Sequence, residues 1–237
     1  MKPYQGILAL IGYFVLWVMM YTYISETHYT IYAGIVAVLI YGWLLYKKQM
    51  LHLSSRDLMG SQLLFCVGIG FGLALFSKTA ILFDVLSPAP ISEQTILDPI
   101  SLIPSVATAS ILVPVEEELM YRGILFGSFA RSFSSKTAIL LSTVFFTSGH
   151  FTISWPTVFV IGILLAWIYW RTDNLAVTMV IHGTVNFFSL LSIPLYALLT
   201  TNRTLGIMVC LLMVLLGVGI TYLCTKKFLQ KHDALPA

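Results

Sequence analysis

The chain has 237 residues, 58% of them hydrophobic and 10% charged, with a mean hydropathy of +0.91 and a formal net charge of +3. So apolar a composition excludes an ordinary soluble domain and indicates an integral membrane protein. The basic residues are spread along the chain rather than gathered in one patch, which excludes a nucleic-acid binder.

Apolar runs of about the 20 residues needed to cross a hydrocarbon core fall at 4–24, 29–46, 60–83, 102–131, 136–153, 155–170, 174–200 and 205–225. They predict an all-α, polytopic transmembrane helical bundle of about eight spans, forming a single domain over 1–237. The first run follows Lys2, but Tyr23 to His28 contains no small-x-small cleavage site, so this run is expected to remain as an anchor. The third run carries Gly68-x-x-x-Gly72, and the fourth Gly123-x-x-x-Gly127, the small-residue spacing that lets helices approach closely. Between them, Ser87-Pro88-Ala89-Pro90 through Asp98-Pro99 breaks any helix and is expected to form an outer loop.

The fourth run is the unusual one, because Glu116, Glu117, Glu118 and Arg122 interrupt it at mid-membrane depth. An acid at the bilayer centre costs about 2.5–3.5 kcal/mol on insertion scales, so these groups need partners inside the protein and mark a functional site. Glu118 and Arg122 are four apart in the favoured acid-first order and are expected to pair. Glu117 points about 100° around the helix from Glu118 and is left for another task, while Glu116 has a structural one.

In the fifth run Phe146 and His150 share one helix face, and in the seventh His182 and Asn186 do so. At about 1.5 Å per residue, Glu117 and His150 lie roughly 21 Å from the cytoplasmic edge, and His182 and Asn186 roughly 14 and 20 Å. The sixth run is bracketed by Trp155, Trp167, Tyr169 and Trp170, as interfacial aromatics would be. His28, His52 and His232 lie in loops or ends and are expected to be solvated, and Cys66, Cys210 and Cys224 to be small core residues.

Lys2, Lys47, Lys48, Arg56, Arg131, Lys136, Arg171, Lys226, Lys227 and Lys231 fall in alternate connections or ends, against only Lys78 and Arg203 in the others. The positive-inside rule then places both termini in the cytoplasm.

A carboxylate, two imidazoles and an amide on three helices fit hydrolysis. A carboxylate in a low-dielectric pocket is a better base toward water, an imidazole can orient that water or pass a proton, and an amide can donate to a developing oxyanion. Ser148 lacks the turn and acid partner of a covalent nucleophile. No H-E-x-x-H occurs, so no cofactor is expected from spacing; a divalent ion held by ligands from separate helices stays open.

Glu117-Glu118-Leu-Met-Tyr-Arg122 resembles the E-E-x-x-x-R motif of the CAAX protease and bacteriocin-processing (Abi) family of intramembrane endopeptidases. Phe146-Thr-Ser-Gly-His150 is similar to its F-x-x-x-H motif, and His182-Gly-Thr-Val-Asn186 to its H-x-x-x-N motif, in the same order. The resemblance covers about residues 100–190. It implies that Glu117 activates water, that His150 assists it, that Glu118 and Arg122 hold the motif helix, and that His182 and Asn186 form the oxyanion hole. Tyr121 stands where the family often has Phe, and Glu116 is an acid beyond the motif. The resemblance also implies a membrane-associated or lipidated peptide or protein as substrate, membrane lipids as surroundings, and no nucleic acid. The compact chain leans toward a bacterial member in the plasma membrane, where relatives serve bacteriocin or leader-peptide processing and self-immunity. Two rivals are weighed beside it: a scaffold or immunity factor that binds a membrane partner without cutting it, and a proton-coupled carrier.

Overall fold

The computed structural model describes residues 1–23, 29–86, 105–150, 155–189 and 192–234. Among these residues there is no strand; the helices are α1 (Pro3–Tyr23), α2 (Tyr29–Lys47), α3 (Ser61–Phe76), α4 (Thr79–Leu86), α5 (105–129), α6 (Ser135–Ser148), α7 (Trp155–Thr172), α8 (Leu175–Ser189), α9 (Ser192–Thr201) and α10 (Arg203–Asp233). They match the expected apolar runs, with the third run divided at Ser77–Lys78, the seventh forming α8 and α9, and the last extended to Asp233. The expected outer loop around Pro88 to Pro99 and His28 lie outside the described residues.

Local chemistry sets the ends. Pro3 opens α1, where its missing N–H is not needed. Ser134 Oγ accepts from Thr137 N to cap α6, and Asn202 Oδ1 accepts from Leu205 N to cap α10. Between α7 and α8, Asp173 adopts a left-handed φ of 47°, and Asn174 Oδ1 then accepts from Ala176 N at 3.1 Å.

The architecture is an all-α membrane bundle. Pro3–Thr22, Ser61–Phe83, Trp155–Thr172, Leu175–Thr201 and Arg203–Asp233 are long and apolar enough to cross a membrane, and Ile31–Lys47 is apolar but shorter. Helix α10 shows why: Leu205, Met208, Leu212, Leu215, Leu216 and Leu223 are exposed, an outward apolar face suited to lipid. Helix α5 is the opposite case. Every residue from Leu119 to Phe126 is buried, so its charged neighbours sit inside protein rather than in hydrocarbon.

Three apolar clusters hold the bundle. One joins α1, α2, α5 and α6, a second α3, α7, α8 and α10, and a third α4, α9 and α10. The glycine spacing of the third run serves the α3–α10 seam, because a Cβ on Gly72 would stand 2.9 Å from the Gly217 carbonyl and 2.8 Å from Thr221 N. That of the fourth serves α2 and the segment after it, with Gly123 against Leu45 of α2 and Gly127 against Met50 beyond its end.

The basic connections meet at one end of the bundle. Leu175 N donates to His52 O, Arg171 donates to Asp233 at 2.9 Å, and Lys231 bonds Ser61. Burial, with Arg131 and Lys48 nearby, lowers the Met1 amine below its ordinary pKa at the same end. His232 is not a solvated loop residue: its Nδ1 lies 2.7 Å from Asp57 Oδ1, and Asp57 also accepts from Asn174 Nδ2 at 3.0 Å. Tyr169 likewise is a core residue, packed edge-on to Phe126 with centroids 5.4 Å apart. Cys66, Cys210 and Cys224 are all free, the first two buried.

Candidate active site

The site is built on α5, whose backbone is unusual in two places. Val113 N–H reaches back five residues to Thr108 O rather than four to Ala109 O, a wide π-type turn over Thr108–Leu112. Continuing that register would pair the Ala109 carbonyl with residue 114, but Pro114 has no N–H. Asn186 Nδ2 from α8 donates to Ala109 O instead, at 2.8 Å. Gly183 makes room for this approach, since a Cβ there would strike the Ser110 carbonyl. A second wide stretch, Leu119–Phe126, follows directly after the glutamates.

The three glutamates part company around the helix. Glu116 turns toward α1, where Tyr13 OH donates to its Oε1 at 3.1 Å. Glu118, fully buried, receives Arg122 Nη1 at 2.8 Å, as the four-residue spacing predicts. Its Oε1 also lies 2.9 Å from His182 Nδ1. Glu117 faces the other nitrogen of the same ring, with 3.7 Å between its Oε2 and His182 Nε2.

That geometry dictates a proton count. Glu118 beside Arg122 is an acceptor, so His182 Nδ1 must be the donor, which leaves Nε2 of a neutral imidazole as an acceptor. Nε2 therefore presents a lone pair to a carboxylate, and two acceptors face each other with a proton or a water molecule needed between them. At 3.7 Å the separation exceeds a direct hydrogen bond and suits a bridging water.

Arg122 is fixed on every side. Its Nη2 donates to Gly162 O on α7 at 3.3 Å, and its Cζ lies 4.4 Å over the Phe146 ring. Phe146 is in turn edge-on to Tyr121, 5.0 Å from the His150 ring and 5.9 Å from the His182 ring. His150 Nδ1 donates to Phe146 O at 3.0 Å, so its Nε2 is also the acceptor when the ring is neutral.

His150, His182 and Asn186 line a common cavity of about 290 Å³, together with Phe146, Thr157, Ser189 and Ser192. The structure thus gathers His150, His182 and Asn186 around one space, and links Glu117 to it through His182. Glu118 and Arg122 stand behind. Among the described residues no group of three or more His, Cys, Asp or Glu converges so as to hold a metal ion. Sequence reasoning missed Tyr13, Gly162 and the Ala109 carbonyl. Only Pro114, a proline inside an apolar run, carried a readable signal for any of them.

Residues 99–188 match the family model for type II CAAX prenyl endopeptidases, described as Rce1-like. The match supports the likeness of this stretch to the CAAX protease and bacteriocin-processing family that the three motifs resemble. Over 148 residues it is 30% identical to the "Putative membrane peptidase YdiL" of Bacillus subtilis, a match covering 60% of this chain and 60% of that one. Over 116 residues it is 30% identical to the UPF0177 protein YxdF of Lactococcus lactis subsp. lactis, covering 48% of this chain and 63% of the relative. The matches thus span less than two thirds of either relative. No solved structure matches the chain. All three CAAX-protease motifs fall within the matched residues 99–188.

Proposed function

We propose that this CAAX-type membrane protein is an endopeptidase that hydrolyses a peptide bond by water activated at Glu117. The observation that carries the reading is the Glu117–His182–Glu118–Arg122 chain beside a cavity that also holds His150 and Asn186. Water held between Glu117 and His182 Nε2 gives its proton to Glu117 as its oxygen bonds the peptide carbonyl carbon. The second N–H of Asn186 is free to donate toward the developing oxyanion, and His150 Nε2 orients water from the far side of Phe146. As the C–N bond breaks, the proton on Glu117 passes to the leaving amine. Glu118 keeps His182 in the required tautomer, a positioning role.

The substrate is a membrane-associated or lipidated protein, or a leader-bearing peptide, and the setting is a bacterial plasma membrane with both termini cytoplasmic. The basic end described above supports that orientation. The test is cleavage of lipidated and leader-bearing peptides by detergent-purified protein, with and without a chelator. Turnover that resists chelation and vanishes in Glu117→Gln is expected; full turnover in Glu117→Gln overturns the assignment.

A further inference from the structure

Lys78, which the charge pattern put in one of the connections opposite the basic end, is a buried residue at the α3–α4 junction, 1% exposed. Its Nζ donates to Ser192 Oγ at 2.7 Å and to Ser189 O at 3.3 Å. Among the described residues it makes no ion pair with a carboxylate. A buried ammonium bonded only to neutral oxygens is costly, and an arriving anion would offset that cost.

The place of this charge is informative. Ser189 and Ser192 both line the cavity that holds His150, His182 and Asn186, and so do Ser77, Ala80 and Ile81 beside Lys78. Ser189 Oγ donates to Asn186 O at 2.6 Å, one helical turn from the amide. With Ser192 Oγ accepting from Lys78, the Ser192 proton can be donated into the cavity, backed by a positive charge. At about 290 Å³ the space lies at the lower end of the usual range of roughly 300–1,000 Å³ for a ligand pocket, with room for a short chain end.

We infer that Lys78 and Ser192 form a carboxylate subsite that reads a negative charge on the peptide, at its C-terminus or on an acidic side chain near it. The inference rests on the peptidase reading for its ligand. A competing role for Lys78 is to cap the C-terminal end of α8, which favours a cation at Ser189 O in any case. A cap alone leaves no preference between an acid and its amide.

The experiment uses full-length protein in detergent and two matched peptide pairs: one ending in a free carboxylate or an amide, the other carrying Glu or Gln near that end. Wild type is expected to favour the acid of one pair by about 10-fold or more in KM with little change in kcat, the pair identifying the source of the charge. Lys78→Met should reduce the preference below about 2-fold, Lys78→Arg should keep part of it, and Ser192→Ala should weaken it while retaining the ammonium. Cleavage by wild type without preference in either pair, or an undiminished preference in Lys78→Met, overturns the subsite and leaves the peptidase reading intact. Should nothing be cut, the same peptides are tested for binding by fluorescence anisotropy. Acid-selective binding there upholds the subsite without the peptidase, and unselective binding or none overturns it.

Discussion

His182 Nδ1 lies 2.9 Å from the Glu118 oxygen that also takes a hydrogen bond from Arg122 at 2.8 Å, so one buried carboxylate oxygen orients both the cation and the imidazole. Removing it leaves Arg122 charged and unpaired in the core. Glu118→Ala is expected to lower stability by about 3–5 kcal/mol, seen as an earlier thermal unfolding transition in detergent. Replacing both partners, Glu118→Ala with Arg122→Met, should recover much of that loss, while peptide turnover stays low because His182 has lost the acceptor that fixes its tautomer.

Glu117 contrasts with its neighbour, being paired only at 3.7 Å and partly accessible, with 15% of its side chain exposed. Glu117→Gln keeps the shape and removes the base. Peptide turnover should fall by roughly 10²–10⁴-fold with the unfolding temperature unchanged. A large loss of stability in this variant would show that the carboxylate is structural.

Tyr13 and Glu116 tie the first helix to the motif helix through a single buried hydrogen bond of 3.1 Å. Tyr13→Phe leaves that carboxyl oxygen without its donor and should cost about 1–3 kcal/mol. Thermal unfolding measures the loss, and peptidase activity per folded molecule should stay close to wild type.

Asn186 and Pro114 are coupled through the Ala109 carbonyl. Asn186→Ala orphans that carbonyl, whereas Pro114→Ala restores an N–H that can reach it. A double-mutant cycle read by thermal unfolding should therefore show Asn186→Ala costing less in the Pro114→Ala background, by about 0.5–3 kcal/mol of coupling. Additive effects would contradict the substitution of amide for backbone donor.

The placement of the site was legible because its chemistry violates its surroundings. Acids and an arginine in an apolar run, and His and Asn on single helix faces, stand out where every other residue suits lipid or core. The Glu118–Arg122 pair followed from spacing alone. The depth estimate set Glu117, His150, His182 and Asn186 at a similar level on three helices, to within about 7 Å, and the His182 ring lies 2.9 Å from Glu118 and 3.7 Å from Glu117. Straight, equally wound helices were assumed, whereas α5 widens at Thr108–Leu112 and again at Leu119–Phe126.

Other features left no trace in one dimension. Tyr13 is one aromatic among many in α1, and nothing local marks it as the partner of an acid 103 residues away. Lys78 looked like a boundary charge because a lysine near the end of an apolar run usually is one. Its burial depends on Ser189 and Ser192, more than 100 residues later. The Asp57–His232 contact likewise joins distant ends, turning an apparent tail histidine into an anchor for α10.

The touching backbones of Gly72 and Gly217 make the α3–α10 seam a weld. Only the small Thr221 hydroxyl and the Leu75 Cβ stand beside the contact, so little can rotate aside and no thick layer of side chains remains to slide on. Lateral opening of the bundle is expected along a different pair of helices, and bulky replacements at either glycine would pry the wall apart rather than tune it.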